Sequence, residues 1–195
     1  MGESLPLATI QQAVLEFLRS RDDAVVFGAQ GVNAYVDAPR MTQALDLRSP
    51  RAGALAQELQ TYLGQRFHIA VRVRQVSQGR GYRVFQVRKP RNRHLIDIRA
   101  VESLPAAQRL AGVLVIAPVE LIASKVQAYH QRRGRPKSGT DWRDLALLLL
   151  TFPDLKRDPG PVRTCLQTAG VDPVVLAVWQ ELVTQEIQPE DEEAW

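Results

Sequence analysis

Two aspartates, Asp46 and Asp97, each interrupt a short apolar segment, residues 45–47 and 95–98. Such segments predict β-strands, and because side chains alternate along a strand, each carboxylate points away from its apolar neighbours. A carboxylate on the inner face of a strand is costly unless it is paired or bound to a metal. If the two strands are neighbours, both carboxylates lie on one side of the sheet and could hold Mg²⁺ through oxygen ligands. The alternative is that each aspartate faces solvent on the open side of a half-covered sheet.

A small-residue turn, Gly28-Ala29-Gln30-Gly31, follows an apolar segment at 24–27 and precedes a helical pattern. A strand, a tight turn and a helix together form a place where backbone N–H groups can meet a phosphate. The turn therefore makes Gly28, Ala29 and Gln30 candidates for nucleotide binding. An ordinary strand-to-helix turn would show the same pattern.

Basic residues are concentrated between positions 72 and 99, where Asp97 is the only acid. Tyr82 and Phe85 lie among them, a combination that suits the phosphate backbone of a nucleic acid. A solvated protein face is the alternative. The candidate nucleic-acid contacts are Arg72, Arg74, Arg83 and Arg88.

The composition is that of a soluble globular protein of 195 residues, of which 45% are hydrophobic and 24% are charged. The net charge of +4 mildly favours an anionic partner. Cys165 is the single cysteine, which excludes an internal disulfide and fits a cytoplasmic location. The longest apolar run, at 145–150, is far shorter than the roughly 20 residues of a membrane span, so no membrane partner is expected.

Hydrophobic periodicity places these residues on a succession of helices and strands. A helix is predicted from Thr9, with Thr9 and Gln12 as a capping box, and another after Ser49-Pro50, with Ser49 as its cap. The other predicted elements are a strand at 24–27, a short helix at 31–36, a strand at 44–48, a hairpin of strands at 67–76 and 82–88, strands at 95–98 and 113–116, and helices from 118, at 141–152, at 161–168 and at 173–187. The acidic tail at 189–195 is expected to fray and to expose Trp195.

Strands and helices are mixed before residue 117, and only helices are predicted after it. This change of pattern predicts an α/β core at 1–117 and a helical region at 118–195.

The candidate residues occur in an order that resembles one family. The pattern is a Gly-containing turn with Gln30 and Asn33, then Pro39-Arg40-x-Thr42-x-Ala44-Leu45-Asp46-Leu47, a hairpin, Leu95-Ile96-Asp97-Ile98, a helix with Lys125, a basic loop and Asp141-Trp142-Arg143-Asp144-Leu145. It resembles the AbiEii-like nucleotidyltransferases of the abortive-infection toxin type, a branch of the DNA polymerase beta-like superfamily. The likeness runs from about residue 24 to residue 150.

The resemblance implies an α+β fold, with a mixed β-sheet nucleotidyltransferase-like core flanked by helices and a C-terminal helical region packed on the core. It implies that carboxylates at positions 44, 46 and 97 hold metal, so Asp46 and Asp97 are candidate metal and catalytic residues. It also implies that Lys125 and Asp141 approach the nucleotide from the helical part as catalytic residues, and that Arg40 and Thr42 belong to the nucleotide-binding segment.

In that family a nucleoside monophosphate passes from a triphosphate to a hydroxyl of RNA or of a protein. Two Mg²⁺ ions clamp the attacking and leaving oxygens. The resemblance therefore implies a nucleoside triphosphate as substrate, with RNA and a cognate antitoxin-like protein as further candidate partners.

The chain departs from the family pattern at Ala44, where the family has its first Asp. A site that lacks one of three carboxylates is a weakened magnesium site. Three hypotheses follow: a working nucleotidyltransferase with an altered metal site, a catalytically retired relative that binds a nucleotide, RNA or a protein partner, and an unrelated basic α+β scaffold.

Overall fold

The computed structural model describes residues 5–190. The helices in this part of the chain are Leu7–Leu18 (α1), Gly28–Asn33 (α2), Ala52–Phe67 (α3), Pro118–Gln131 (α4), Lys137–Thr151 (α5), Pro161–Thr168 (α6) and Pro173–Thr184 (α7). The strands are Val25–Phe27 (β1), Leu45–Ser49 (β2), Val71–Val76 (β3), Gly81–Gln86 (β4), Arg93–Ala100 (β5), Ala107–Leu110 (β6) and Val113–Ile116 (β7). Within residues 5–190, no helix is both long and apolar enough to span a membrane.

The chain forms two compact units. Among the described residues, the first contains 5–34 and Arg40–Ile116, and the second contains Tyr35–Pro39 and 117–190. The inclusion of the short segment Tyr35–Pro39 in the second unit has no counterpart in the sequence pattern.

The first unit is built on a mixed seven-stranded sheet with the order β3-β4-β5-β2-β1-β7-β6. The pairs β2–β5 and β1–β7 are parallel, and the other neighbouring strands are antiparallel. Helices α1 and α3 pack on the sheet. Burial of the apolar side chains between them is the main source of the unit's stability. The members of this core that lie fully buried include Leu45, Leu47, Leu55, Leu59, Leu63, Val84, Ile96 and Ile98.

The second unit is a group of helices in which α4 contacts α5, α6 and α7. Its apolar centre includes Ile122 and Val126 of α4 and Trp179 of α7, all of them fully buried. The mixed sheet and the helices give the α+β fold that the sequence predicts.

Helix α1 begins at Leu7, with the extended residue Pro6 before it, so the capping box at Thr9 is wrong. Helix α2 begins directly at Gly28 rather than at residue 31. Ser49 is still part of β2, and α3 begins only at Ala52. The Ser49 hydroxyl nevertheless accepts a hydrogen bond from the backbone N–H of Arg51 at 3.0 Å, just ahead of the helix.

Helix α3 continues to Phe67, where the sequence pattern predicts the start of a strand. His68 then takes a left-handed conformation, with φ of 52°, and β3 begins at Val71. Helix α5 begins at Lys137, within the segment expected to be a loop, and α7 ends at Thr184 rather than at residue 187. Strand β6 is not predicted, and the expected exposure of Trp195 lies outside the described residues.

Candidate functional site

A row of residues in register crosses the sheet of the first unit. Asp46 of β2 pairs with Phe27 of β1 on one side and with Asp97 of β5 on the other. Asp97 pairs in turn with Arg83 of β4, and Arg83 pairs with Arg74 of β3. Directly opposed residues share a face of a sheet. The two aspartates are therefore immediate neighbours on one face, opposite to the face that carries the buried side chains of Leu45 and its neighbours.

Gly28 lies directly against Asp46. A Cβ atom at position 28 would come within 2.5 Å of the Asp46 Oδ2 atom, and Gly28 has φ of +66°. Both the close contact and the left-handed backbone make a residue with a Cβ atom energetically unfavourable at this position. The turn between β1 and α2 therefore lies against the carboxylate of Asp46 at a position where a residue with a Cβ atom would be strained.

Asn33 joins this turn to the segment that leads into β2. Its amide Nδ2 donates to the carbonyl oxygen of Arg40 at 2.8 Å and to Oε1 of Gln30 at 3.0 Å. The backbone N–H of Arg40 donates back to Oδ1 of Asn33 at 3.0 Å. Gly28, Ala29 and Gln30 are partly exposed in the first turn of α2. Asn33 is thus the residue that fixes Arg40 beside α2, a role that sequence reasoning did not assign to it.

Thr42 is buried, and its hydroxyl accepts a hydrogen bond from Nε2 of Gln11 at 2.9 Å. The same amide also contacts the Thr42 carbonyl oxygen at 3.2 Å. Thr42 therefore anchors the segment before β2 to helix α1.

Asp97 is engaged by two basic side chains. Nε and Nη2 of Arg83 donate to its two carboxylate oxygens at 3.0 and 3.3 Å. Nε2 of His94 lies 3.0 Å from Oδ1, because the pairing of β4 with β5 shifts register between Val84 and Phe85 and brings His94 to the side of Asp97. Burial alone would raise the pKa of Asp97, but His94 and Arg83 outweigh it and the pKa is lowered.

Two more arginines lie two residues beyond Asp46 and Asp97 on the same strands. Arg48 of β2 and Arg99 of β5 are register partners. Their guanidinium carbons lie 4.6 and 5.8 Å from the ring centroid of Phe27, within the range of cation–π attraction. Because residues two apart share a face, Arg48 and Arg99 lie on the face of Asp46 and Asp97.

The predicted nucleic-acid contacts fall into two groups. Arg72 and Arg74 are exposed on β3, the edge strand of the sheet, and Arg88 is exposed in the connection that follows β4. Arg83 lies in the row, between Asp97 and Arg74, and is paired with Asp97. Together with Arg48 and Arg99, the arginines outnumber the aspartates on this face of the described strands, which gives it a positive field.

Lys125 and Asp141 belong to a buried ion-pair network in the second unit. Nζ of Lys125 lies 2.7 Å from Oδ2 of Asp144 and 3.9 Å from Oδ1 of Asp141. Nη1 of Arg132 donates to both Asp141 oxygens at 3.0 Å. Asp144 is 0%, Asp141 2% and Lys125 7% exposed. Sequence reasoning gave no role to Asp144 or Arg132, which supply the partners that allow these charges to be buried.

The side chains at the row do not fit a two-metal centre. Asp46 and Asp97 are two carboxylates, and Ala44 precedes them at the position where the resemblance implies a third. Within residues 5–190, no group of three or more His, Cys, Asp or Glu side chains is arranged to hold a metal ion. Asp97 is moreover already bound by a guanidinium on both of its oxygens.

Several solved structures have the same fold as this chain. The Megavirus polyadenylate synthase superposes with a TM-score of 0.61 at 14% identity over 78% of this chain, which spans 32% of that protein. JHP933 from Helicobacter pylori gives 0.55 at 13% identity, over 90% of this chain and 87% of that one. A nucleotidyltransferase-like protein from Paracoccidioides brasiliensis gives 0.52 at 18% identity, over 89% and 92% of the two chains. At these identities the likeness establishes the fold.

A family model identifies the sequence more closely. No match was found among curated proteins. The model described as "Nucleotidyl transferase AbiEii toxin, Type IV TA system" matches residues 15–195, which is most of the chain. The chain therefore belongs to the AbiEii nucleotidyltransferase family of type IV toxin–antitoxin systems.

Proposed function

We propose that this protein binds a nucleoside triphosphate beside Gly28, Asp46 and Asp97, and that its nucleotidyl transfer is attenuated or lost. The observation that carries the proposal is the row itself. In a chain of this family, two aspartates stand in register on neighbouring parallel strands, and a glycine turn is held against one of them. At the position where the resemblance implies a third carboxylate, this chain has Ala44.

The triphosphate end of the nucleotide is proposed to lie along the turn from Gly28 to Gln30. Backbone N–H groups at such a turn are suited to phosphate oxygens. Arg40, whose backbone Asn33 ties to α2, is proposed to add a cation at the phosphates. Thr42 supports this arrangement indirectly, because it anchors the segment that carries Arg40.

Lys125 and Asp141 keep their proposed roles as catalytic residues from the family resemblance alone. In their own unit Lys125 is paired with Asp144, and Asp141 with Arg132. A role for Lys125 at a phosphate therefore requires that it exchange its partner.

The reaction in question is transfer of a nucleoside monophosphate from a triphosphate to a hydroxyl of RNA or of a protein. Full activity is proposed to be absent because Ala44 supplies no charge and Asp97 is held by Arg83 on both of its oxygens. Each loss of about 1.4 kcal/mol of transition-state stabilisation lowers the rate tenfold. A magnesium-dependent transferase with an altered metal site is the second candidate, and the intact pair of Asp46 and Asp97 favours it.

Two partners complete the proposal. RNA is proposed to lie along the exposed arginines of the sheet edge, Arg72 and Arg74, and near Arg88. An antitoxin-like protein is proposed from the family, which is defined by a toxin–antitoxin system.

Nucleotide binding is tested by thermal denaturation with each of the four ribonucleoside triphosphates, with and without Mg²⁺ or Mn²⁺. A ligand at about 100 times its Kd stabilises the native state by about 2.7 kcal/mol. For a chain of this size that corresponds to a rise in Tm of about 5–10 °C. No rise with any triphosphate, in any of the metal conditions, would defeat the proposal.

Transfer is tested with a nucleotide labelled on the α-phosphate and with total RNA or the protein itself as acceptor. Ala44→Asp should create or raise transfer, because it restores the carboxylate of the family pattern. Ala44→Asn is the matched control, since it has nearly the same shape and no charge. Robust transfer by the unaltered chain would favour the second candidate, and equal transfer by the two variants would refute the role given to position 44.

A further inference from the structure

Arg83 occupies the place at Asp97 where a metal ion would bind a carboxylate. Its Nε and Nη2 atoms meet the two oxygens of Asp97 side by side, at 3.0 and 3.3 Å. This forked contact uses both oxygens of the carboxylate at once. A divalent ion can reach Asp97 from that side only if the guanidinium moves away.

The pair leaves donors on Arg83 for a second anion. One N–H of Nη2 and both N–H groups of Nη1 are not used by Asp97. The Arg83 side chain is 43% exposed, so these donors can be reached from outside. A planar guanidinium can hold a carboxylate along one edge and present another edge to a phosphate.

The surrounding charges also favour an anion over a divalent cation at this site. On this face Asp46 and Asp97 stand among Arg48, Arg83 and Arg99. A triphosphate would be repelled by the two carboxylates alone, but the neighbouring guanidinium groups more than balance them. A divalent ion would meet the same guanidinium groups as like charges.

We infer that Arg83 replaces the metal ion at this site, so that the protein binds the triphosphate of a nucleotide through guanidinium groups and without a divalent cation. The inference rests on the proposed function, since it concerns the same nucleotide and the same row. It also implies that Arg83 keeps metal out, and that its removal uncovers a weak cation site at Asp46 and Asp97.

The experiment uses the full chain and the variant Arg83→Gln, with ATP and the other triphosphates titrated calorimetrically in EDTA and in Mg²⁺. The unaltered protein should bind with affinities that differ less than threefold between the two conditions. Arg83→Gln should bind at least tenfold more weakly in EDTA, and Mn²⁺ should restore part of the loss. Arg83→Lys should bind with intermediate affinity in EDTA, because it keeps the charge and loses the fork.

A matched control is available elsewhere in the same unit. Arg21 donates from Nε and Nη2 to the two oxygens of Asp23 at 2.9 and 2.7 Å, the same forked geometry. Arg21→Gln removes a forked ion pair and one charge at a residue outside the row, so it should leave nucleotide binding in EDTA unchanged. An equal loss in Arg21→Gln would mean that net charge, rather than the position of Arg83, governs the affinity, and would overturn the inference.

Mn²⁺ binding without nucleotide, followed by electron paramagnetic resonance, separates this inference from the proposed function. Arg83→Gln should bind Mn²⁺ at least tenfold more tightly than the unaltered chain. If the unaltered chain binds nucleotide only with a divalent ion, the proposed function stands and the inference fails. If nucleotide binds in neither condition, the proposed function fails, and equal Mn²⁺ binding by both proteins then refutes the metal-replacing role of Arg83.

Discussion

Replacement of Gly28 by alanine would test the close approach on which the site depends. The new Cβ would lie 2.5 Å from Asp46 Oδ2, and the backbone would stay at φ of +66°. A left-handed conformation costs a residue with a Cβ about 1–2 kcal/mol. Because Leu45 and Leu47 on either side of Asp46 are fully buried, the β2 backbone cannot yield easily, and the carboxylate must leave its rotamer at a further cost of about 1 kcal/mol.

The control for this variant is Gly112→Ala in the same unit. Gly112 also has a positive φ, of +82°, but a Cβ there would meet only ordinary contacts with Arg19, at 3.5 and 3.7 Å. It should therefore cost only the backbone term, about 1–2 kcal/mol. The two variants together isolate the effect of the carboxylate contact.

Denaturant unfolding should show Gly28→Ala to be less stable than Gly112→Ala by about 1 kcal/mol, which is a difference in Tm of about 2–4 °C. Calorimetric titration should show at least tenfold weaker triphosphate binding for Gly28→Ala and no change for Gly112→Ala. If both variants lose the same stability and both bind nucleotide like the unaltered chain, the turn does not press on Asp46 in the way described, and the account of the site is wrong.

Other predictions concern the charges. Asp144→Asn leaves Lys125 buried without its partner at 2.7 Å and should cost about 3 kcal/mol in denaturant unfolding, whereas Glu181→Gln in an exposed pair should cost less than about 1 kcal/mol. Because the pKa of Asp97 is lowered in the folded protein, the ionised carboxylate contributes stability at pH values above its unfolded pKa of about 3.9. That contribution is lost as the pH falls through the lower folded pKa. The difference in unfolding free energy between the unaltered chain and Asp97→Asn should therefore shrink between pH 7 and pH 2, and a constant difference would contradict this. The double variant Arg72→Gln and Arg74→Gln should lower the salt-dependence slope of single-stranded RNA binding by about 1.4, and an unchanged slope would exclude the sheet edge as the RNA surface.

The elements predicted well from the sequence are those whose residue pattern fits only one type of secondary structure. Strand Val113–Ile116 is a continuous apolar run, and helix Pro161–Thr168 opens with a proline, so both have the predicted bounds. Phe67 is ambiguous by contrast. It continues a series of residues four apart from Leu55, Leu59 and Leu63, and it also begins an alternating pattern. Phe67 belongs to the helix because the leucines of that helical series pack into the core.

Only part of the candidate site can be predicted from the sequence. Alternation along each strand predicts that Asp46 and Asp97 lie opposite their apolar neighbours, but their adjacency depends on parallel pairing of strands that are far apart in the chain. The pairing of Arg83 with Asp97 depends on hairpin register, in which one residue of slippage reverses every side chain. The register shift that brings His94 to Asp97 has no local sequence signal.

Strand β6 and the network around Lys125 are further features that three-dimensional context determines. Ala107–Leu110 contains no apolar run, and it forms a strand because β7 supplies its partner. Asp141 and Asp144 look like ordinary acids of a first helical turn, but α5 begins earlier, at Lys137, and both are buried against cations.

A crystal structure of the protein with Mg²⁺ and a non-hydrolysable nucleoside triphosphate analogue would show where the triphosphate binds. We expect the triphosphate to lie along the turn from Gly28 to Gln30, beside Asp46. A phosphate oxygen should lie within hydrogen-bonding distance of the Arg83 guanidinium, and Arg83 should still be paired to Asp97. A triphosphate bound away from this turn and from both aspartates would contradict this expectation.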